Sequence, residues 1–421
     1  MVGSIEKVSV FYTFWTHLMS TMLDDKTRTI VSACVPALEA HGLAITQEMY
    51  RRLLANPEIR DLFNMSHQKD GEQPKALALA VLAYARNINN LGALGGMVER
   101  IAEKHVGLNI LPEHYPFVGE ALLGAIAHVL GDAATPEIMD AWGKAYWFLA
   151  NVLIGREKQI YHDHAEAPGG WTGWRSFTVR SIVTESSTVR SFELVPSDNK
   201  PVMLHKPGQY LSFKLDIPEH GSQRRNYSIS SAPASDHYRI SIRKAEGGVV
   251  SSWFHDTVRE GDTLMVSAPA GEFIYDPSKE EKTMFISAGI GLTPFISALG
   301  LIEQQPGPTR FVHGTHAADT EAFGSYIQAL AAKGIVRADI FYSTGLPNKA
   351  SATSGLARHA GRINAEWLST QIEPNTTYRI CGPDQFMLDV IKALKAQGVR
   401  TEQIHYEFFG SASDAQLLAA A

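Results

Sequence analysis

The sequence predicts a multidomain chain: an all-α domain, then an antiparallel β-barrel, then a doubly wound α/β domain. Three observations predict it. From Met22 to about Ala167 apolar residues recur at helical spacing and no strand pattern interrupts them. The break Ala167-Pro168-Gly169-Gly170 then separates that stretch from short segments that alternate with a period of two. From Thr283 the pattern changes again, to apolar strands alternating with helices, the signature of a parallel sheet. At 421 residues the chain has room for about three domains of ~150 residues each. Boundaries are expected at 22–166, 167–276 and 277–421, behind an N-terminal extension over 1–21.

Composition narrows the function classes. Hydrophobic residues at 45% and charged residues at 19% are ordinary for a globular protein. A net charge of −6 argues against a nucleic-acid partner, and no block of like charges marks a tail. Two cysteines, Cys34 and Cys381, are too few for a disulfide framework and fit a reducing cytoplasm. No uninterrupted apolar run reaches the length of a membrane span, so stable membrane insertion is not expected. Residues 8–19 are fairly apolar, but Glu6 precedes Lys7 and two threonines and a histidine interrupt the run, a poor match to a signal peptide.

The helical part can be read in order. Met49, Leu53 and Leu54 give a helix over 46–55, ended by Asn56-Pro57 because proline disfavours helix in the residue before it. Val98, Ile101, Ala102 and His105 share one face. Two further helices cover 121–130 and 136–161, the second with Thr135 as N-cap and Pro136 in its first turn. Strands follow at 177–183, 189–195, 210–215, 238–244 and 263–267, close together with turn signals between them, as in a barrel. The parallel strands are expected at 283–288, 310–314, 340–343 and 377–381.

An iron porphyrin in a helical pocket needs a neutral imidazole from a helix face and apolar walls. His105 ends an apolar stripe and qualifies, although a lone histidine there is also an ordinary core residue. Phe63, in Leu62-Phe63-Asn64-Met65-Ser66, suits an aromatic wedge against a porphyrin face. Tyr50 and Gln73 lie on helical segments either side of it.

These segments, with Gly71-Glu72-Gln73, Ile101-Ala102-Glu103-Lys104-His105 and Ala141-Trp142-Gly143-Lys144-Ala145-Tyr146, closely resemble the globin domain of the flavohemoglobin family. The resemblance runs from about Met22 to Gly410. It implies heme b with His105 as the proximal iron ligand, and Phe63 and Lys104 among the heme-binding residues. Tyr50, Gln73 and Leu77 would line the distal side, while Tyr115 and Glu157 buttress the proximal histidine. A ligating histidine normally donates its second N–H to an acceptor, and a carboxylate there pushes electron density onto iron.

The second half carries its own motifs. Arg225-Asn226-Tyr227-Ser228 resembles the flavin motif of ferredoxin–NADP reductases, in which the tyrosine packs on the isoalloxazine, the serine approaches the flavin N5 region and the arginine neutralises the pyrophosphate. Pro207-Gly208-Gln209-Tyr210 precedes it. Gly247-Gly248-Val249-Val250-Ser251 follows, a glycine turn at a helix start whose N–H groups suit FAD phosphates. Tyr210, Asn226, Gly248, Val250 and Ser251 are therefore counted with the FAD site. Gly289-Ile290-Gly291-Leu292-Thr293-Pro294 departs from the Gly-x-Gly-x-x-Gly fingerprint at Pro294. It still offers a glycine turn and a helix N-terminus for nicotinamide dinucleotide phosphates, with Gly289, Gly291, Thr293 and Pro294 as its residues. Cys381-Gly382-Pro383 makes the facing side of the crevice. By the same resemblance Phe409, in Glu407-Phe408-Phe409-Gly410, covers the flavin ring until nicotinamide displaces it.

The resemblance implies a nitric oxide dioxygenase: NAD(P)H reduces FAD, FAD reduces heme, and O2 and NO are turned into nitrate. Two alternatives stand beside it: an oxygen-binding or sensing protein that keeps its own iron reduced, and a general flavin reductase with anaerobic NO or alkyl hydroperoxide reductase activity. Asp319 and Glu321 lie just beyond the strand at 310–314, where acidic groups disfavour a 2′-phosphate, so NADH is expected over NADPH. The expected state is a cytoplasmic monomer, with bound lipid in the distal pocket a further expectation of the resemblance.

Overall fold

The structure, a computed structural model, describes residues 23–60, 62, 72–346 and 353–409, and only the backbone of Glu58, Glu72 and Gln73. The extension 1–21, Phe63 and Gly410 lie outside the described residues. Two compact units emerge, divided within one long helix between Ile160 and Tyr161, with Val106–Asn109 belonging to the second.

Seven helices are described in the first part: α1 (Asp25–Ala33), α2 (Val35–Leu54), α3 (Pro57–Arg60), α4 (Glu72–Arg86), α5 (Gly95–Gly107), α6 (Tyr115–Leu130) and α7 (Pro136–Glu166). The Asp24 carboxylate caps α1 by accepting from Thr27 N–H at 2.7 Å. Thr135 Oγ accepts from Ile138 N–H at 3.4 Å ahead of α7. α2 starts eleven residues before the expected 46. Gly42 interrupts the apolar pattern there because it lies against α4: a Cβ on it would sit 3.8 Å from that of Ala78. α2 then buries Ile45, Met49 and Leu53 at helical spacing against Tyr84 and Ala85 of α4. The buried Thr46 hydroxyl donates to the Pro74 carbonyl at 2.8 Å and pins the start of α4 to α2.

The second unit holds both sheets. β1 (Arg175–Thr184), β2 (Val189–Pro196), β3 (Tyr210–Ile217), β4 (Gly221–Ser228), β5 (Tyr238–Arg243) and β6 (Thr263–Val266) form an antiparallel sheet in the order β4-β3-β6-β1-β2-β5. A bridge between Ile229 and Ile240, with Ser230 N–H donating to the Arg239 carbonyl at 2.7 Å, joins the two ends and curls the sheet into a barrel. α8 (Val249–Asp256) sends Phe254 into the barrel core, where it meets the rings of Phe192, Phe213 and Tyr227.

β7 (Lys282–Ala288), β8 (Thr309–Thr315), β9 (Arg337–Tyr342), β10 (Leu356–Ala360), β11 (Thr376–Cys381) and β12 (Ile404–Glu407) are all parallel, in the order β10-β9-β8-β7-β11-β12. α9 (Thr293–Gln304), α10 (Gly324–Ala332), α11 (Ala365–Ser369) and α12 (Asp384–Ala396) connect them. Strand order reverses between β7 and β11, and ligands of such sheets bind at the carboxyl ends beside that reversal.

The barrel and the α/β part share one compact unit because side chains interlock them. His205 Nε2 lies 2.9 Å from Ser297 Oγ of α9, and Gly300 of the same helix lies so close to Ala232 that a Cβ would approach it to 2.8 Å. Among the described residues no single helix is long and apolar enough to cross a membrane.

Burial sets an acid limit on this unit. It holds His205 down to about 3 and His313, bonded to Ser287 Oγ at 2.9 Å, down to about 4. Both imidazoles stay neutral when folded, whereas the unfolded chain takes up protons below about 6.5. Their contribution is therefore complete above about pH 6.5 and is lost as pH falls toward 4, at about 1.4 kcal/mol per pH unit for each histidine. Urea unfolding between pH 7 and 5 should show that slope, and His313→Gln should flatten it. An unchanged slope in the variant would mean that His313 titrates normally.

Candidate functional site

Three helices of the first unit converge on one carboxylate. Glu157 of α7 is 2% exposed, and its Oε1 lies 2.7 Å from His105 Nδ1 of α5 and 2.5 Å from the Tyr115 hydroxyl of α6. A carboxylate only accepts, so both neighbours donate, and Nδ1 carries the imidazole proton. Nε2 of the neutral ring then has a free lone pair for a metal. This fits heme ligation, which needs a neutral imidazole with its other nitrogen anchored.

The convergence is itself held in place. Glu99 of α5 accepts two bonds from Arg156 of α7, at 2.6 and 2.7 Å, fixing the two helices' register beside the His105–Glu157 contact. Tyr146 of α7 donates to the Tyr115 carbonyl at 2.5 Å. Its ring lies where a Cβ on Gly119 would be, 2.5 Å from Cε1. Sequence reading assigned no role to Tyr146, present only within a resembling segment, and did not single out Gly119, Glu99 or Arg156. A glycine inside the apolar run of α6 is the one signal that pointed to such a close approach.

The other expected heme residues that the structure describes lie on α2, α4 and α5. Tyr50 of α2 is partly buried, and surrounding protein pushes its hydroxyl up to about 12. Leu77 of α4 is only partly buried, as are Val81, Met97 and Ile101, which lies one turn before His105. Lys104 is half-buried beside the histidine. Gln73 lies in the first turn of α4, with its side chain outside the described residues.

In the second unit the flavin motif occupies β4. Arg225 pairs with Phe213, and Tyr227 with Leu211, across the β3–β4 ladder. The Tyr227 ring meets Phe213 and Phe254 edge-on, and burial raises its hydroxyl pKa. The Arg225 guanidinium donates to the Arg224 carbonyl at 2.7 Å and Gln223 Oε1 at 3.3 Å. Burial lowers its pKa, a cost that a bound phosphate would offset. Ser228 and Tyr210 are buried and Asn226 is exposed. α8 starts directly after Gly248, with Ser251 Oγ accepting from Ala245 N–H at 3.1 Å, and Val250 is core. The N–H groups of this first turn suit phosphate.

At the strand reversal the two glycine turns pack together. A Cβ on Gly291 would lie 2.4 Å from the Cys381 carbonyl, and one on Gly382 would lie 3.1 Å from Ala288 N. Gly289 has φ +55°, in the left-handed region. Thr293 Oγ donates to the Ile290 carbonyl at 3.0 Å and Pro294 is buried, so both shape the turn. Cys381 is fully buried, and burial followed by the Glu407 charge pushes its thiol pKa up, as for a structural cysteine. Pro383 caps α12. Phe409 is 46% exposed beyond the end of β12, while Phe408 is buried.

A globin family model matches residues 47–153, and an oxidoreductase FAD-binding domain model matches residues 176–275. A flavohemoprotein of Pseudomonas putida is 43% identical over 394 residues, covering 93% of this chain and 99% of its own. The chain belongs to the flavohemoproteins. A relative of the same name from Xylella fastidiosa is 41% identical over 396 residues, covering 93% of this chain and 98% of its own. The flavohemoglobin structure of Malassezia yamatoensis, which holds FAD and heme, superposes with a TM-score of 0.82 at 27% identity over 92% of this chain and 100% of that one. The FAD/NAD-binding domain of a nitric oxide dioxygenase from Vibrio cholerae superposes with a TM-score of 0.50 at 32% identity over 56% of this chain and 98% of that one.

Gly119→Ala tests the support of the triad. The added methyl must displace a ring whose hydroxyl is already bonded, which should cost about 1–3 kcal/mol, measured as a lower urea midpoint at constant slope. A neutral or stabilised variant would show that the Tyr146 ring gives way freely.

Proposed function

We propose that this flavohemoprotein is an NADH- and O2-dependent nitric oxide dioxygenase that converts NO to nitrate. The observation that carries the reading is the His105–Glu157–Tyr115 triad, closed on the buried Glu157 carboxylate. When bound, heme supplies the iron chemistry toward O2 and NO, and FAD divides the two electrons of a nicotinamide hydride into single electrons. His105 would hold the iron through Nε2. Glu157, accepting from Nδ1–H, makes that imidazole more basic, which favours oxygen activation over reversible storage. The Tyr115 hydroxyl, donating to the same oxygen, keeps the carboxylate aimed at the imidazole. Tyr50, Gln73 and Leu77 would line the opposite side, the tyrosine as a hydrogen-bond donor.

Arg225 and the first turn of α8 would hold the FAD phosphates, with Tyr227 and Ser228 at the ring and Phe409 over its exposed face. Gly289, Gly291 and Cys381-Gly382-Pro383 leave room for the nicotinamide. Of the two acids behind the NADH preference, Glu321 accepts from the Tyr342 hydroxyl at 2.7 Å, while Asp319 is exposed at the end of β8. Asp319 is therefore the one suited to a ribose hydroxyl. A reducing cytoplasm suits the two free thiols, Cys34 and Cys381.

Purified protein given NADH in air should consume NO and release nitrate, and His105→Ala should abolish both this turnover and the Soret band while flavin absorbance remains. Protein holding both cofactors that left NO untouched would overturn the reading. Arg225→Ala should lose FAD on dilution with heme retained. A charge-assisted bond contributes about 1.5–3 kcal/mol, or roughly 10- to 150-fold in affinity. Undiminished flavin affinity by fluorescence titration would remove Arg225 from the site.

A further inference from the structure

One buried cation ties the flavin-binding barrel to the nicotinamide crevice. Arg379 lies on β11, two residues before Cys381, and is 4% exposed. Its guanidinium donates to the Glu280 carboxylate, with Nε–Oε1 at 2.9 Å, and to the carbonyls of Ile274 at 2.7 Å and Phe273 at 3.4 Å. The rings of Phe273 and Tyr275 lie 5.4 and 5.7 Å from its central carbon. All of these partners belong to the segment that leaves the barrel and enters β7.

That segment is in turn fixed to the flavin side. Tyr275 N–H donates to the Pro207 carbonyl at 2.9 Å. Gly208, with φ +102°, passes so close that a Cβ would lie 2.0 Å from the Phe273 carbonyl oxygen. Gly271 packs under the Tyr210 ring in the same way, with 2.9 Å to Cε1. A continuous path of short contacts thus runs from Pro207-Gly208-Gln209-Tyr210 through 273–275 to Arg379 and on to Cys381-Gly382-Pro383.

We propose that Arg379 is a positioning residue for hydride transfer: through Phe273, Ile274 and Glu280 it fixes the distance between the flavin side of the barrel and the nicotinamide crevice. The proposal rests on the two-cofactor reading above. Arg379 touches neither cofactor site itself. A planar fork bonded to a carboxylate and two carbonyls holds its element in rotation as well as position, which a lysine cannot reproduce. Transfer rates fall steeply with misplacement, on the order of 100-fold for 1 Å.

The test compares the full chain with Arg379→Lys and with the double variant Arg379→Met, Glu280→Gln, which leaves no unpaired buried charge. Flavin reduction by NADH is followed by anaerobic stopped flow, and hydrogen exchange is measured on the flavin-free proteins. At saturating NADH the double variant should reduce its flavin 10- to 100-fold more slowly, with Arg379→Lys intermediate and the NADH dissociation constant within about threefold. Without flavin, exchange should accelerate together at Tyr275 and at 381–382, and not in the β1–β2 ladder. A wild-type rate at saturation, or a slow rate restored by more NADH, would overturn the positioning role. Unaltered exchange would do the same. Wild-type protein that binds FAD yet takes no electrons from NADH would instead overturn the reading of the site, and the positioning role with it.

Discussion

A carboxylate removed from water must find its donors within the protein, and Glu157 finds two on one oxygen. Its other oxygen, Oε2, is buried with no hydrogen-bond partner among the described residues. Such a group tolerates little displacement, because losing either donor leaves buried charge uncompensated. The first unit is arranged around that demand. α5, α6 and α7 must deliver His105, Tyr115 and Glu157 to one point. The Glu99–Arg156 pair and the Gly119–Tyr146 contact hold these same helices together. The tautomer of His105 follows from the same requirement, so the chemistry offered at Nε2 is decided on the far side of the ring.

On the proposed reading the second unit meets a different demand, that two nucleotide sites face each other at a fixed spacing. A parallel sheet provides one site wherever its strand order reverses, and there the glycine turns after β7 and β11 let the backbone pack closely. The barrel provides the other along β4. Neither element defines their separation, which rests on helix α9 against the barrel and on the guanidinium of Arg379. Charge buried at a junction is costly, and its geometry is correspondingly specific.

Much of this was legible in the residues. The change of period at 167–170 and again near 283 announced three kinds of structure, because helix, half-buried strand and fully buried strand each impose their own spacing. The triad was named in sequence only through family resemblance. Glu157 sits on a helix among polar neighbours, and nothing local distinguishes it from a solvated residue. β10, read from Leu-Ala-Arg-His-Ala, and the full length of β4, which includes Arg224-Arg225-Asn226, escaped periodicity. One is an edge strand and the other carries a binding motif, so neither alternates cleanly. The supporting roles of Arg379 and Tyr146 were invisible because their partners lie 99 and 31 residues away.

The closed barrel has a consequence for how this chain can change. β4 is registered residue by residue against β3 from Gly221 to Ser228, and its end is joined to β5 through Ile229. It therefore has no loose edge along which to slide. A single inserted residue within the strand would turn every side chain to the opposite face. Asn226 would then stand where Tyr227 meets Phe213, and the guanidinium of Arg225 would leave its side of the sheet. Substitutions here alter one contact at a time, whereas a change of length removes the whole motif at once. A change of length in the turn at 218–220, outside the ladder, would leave that register intact.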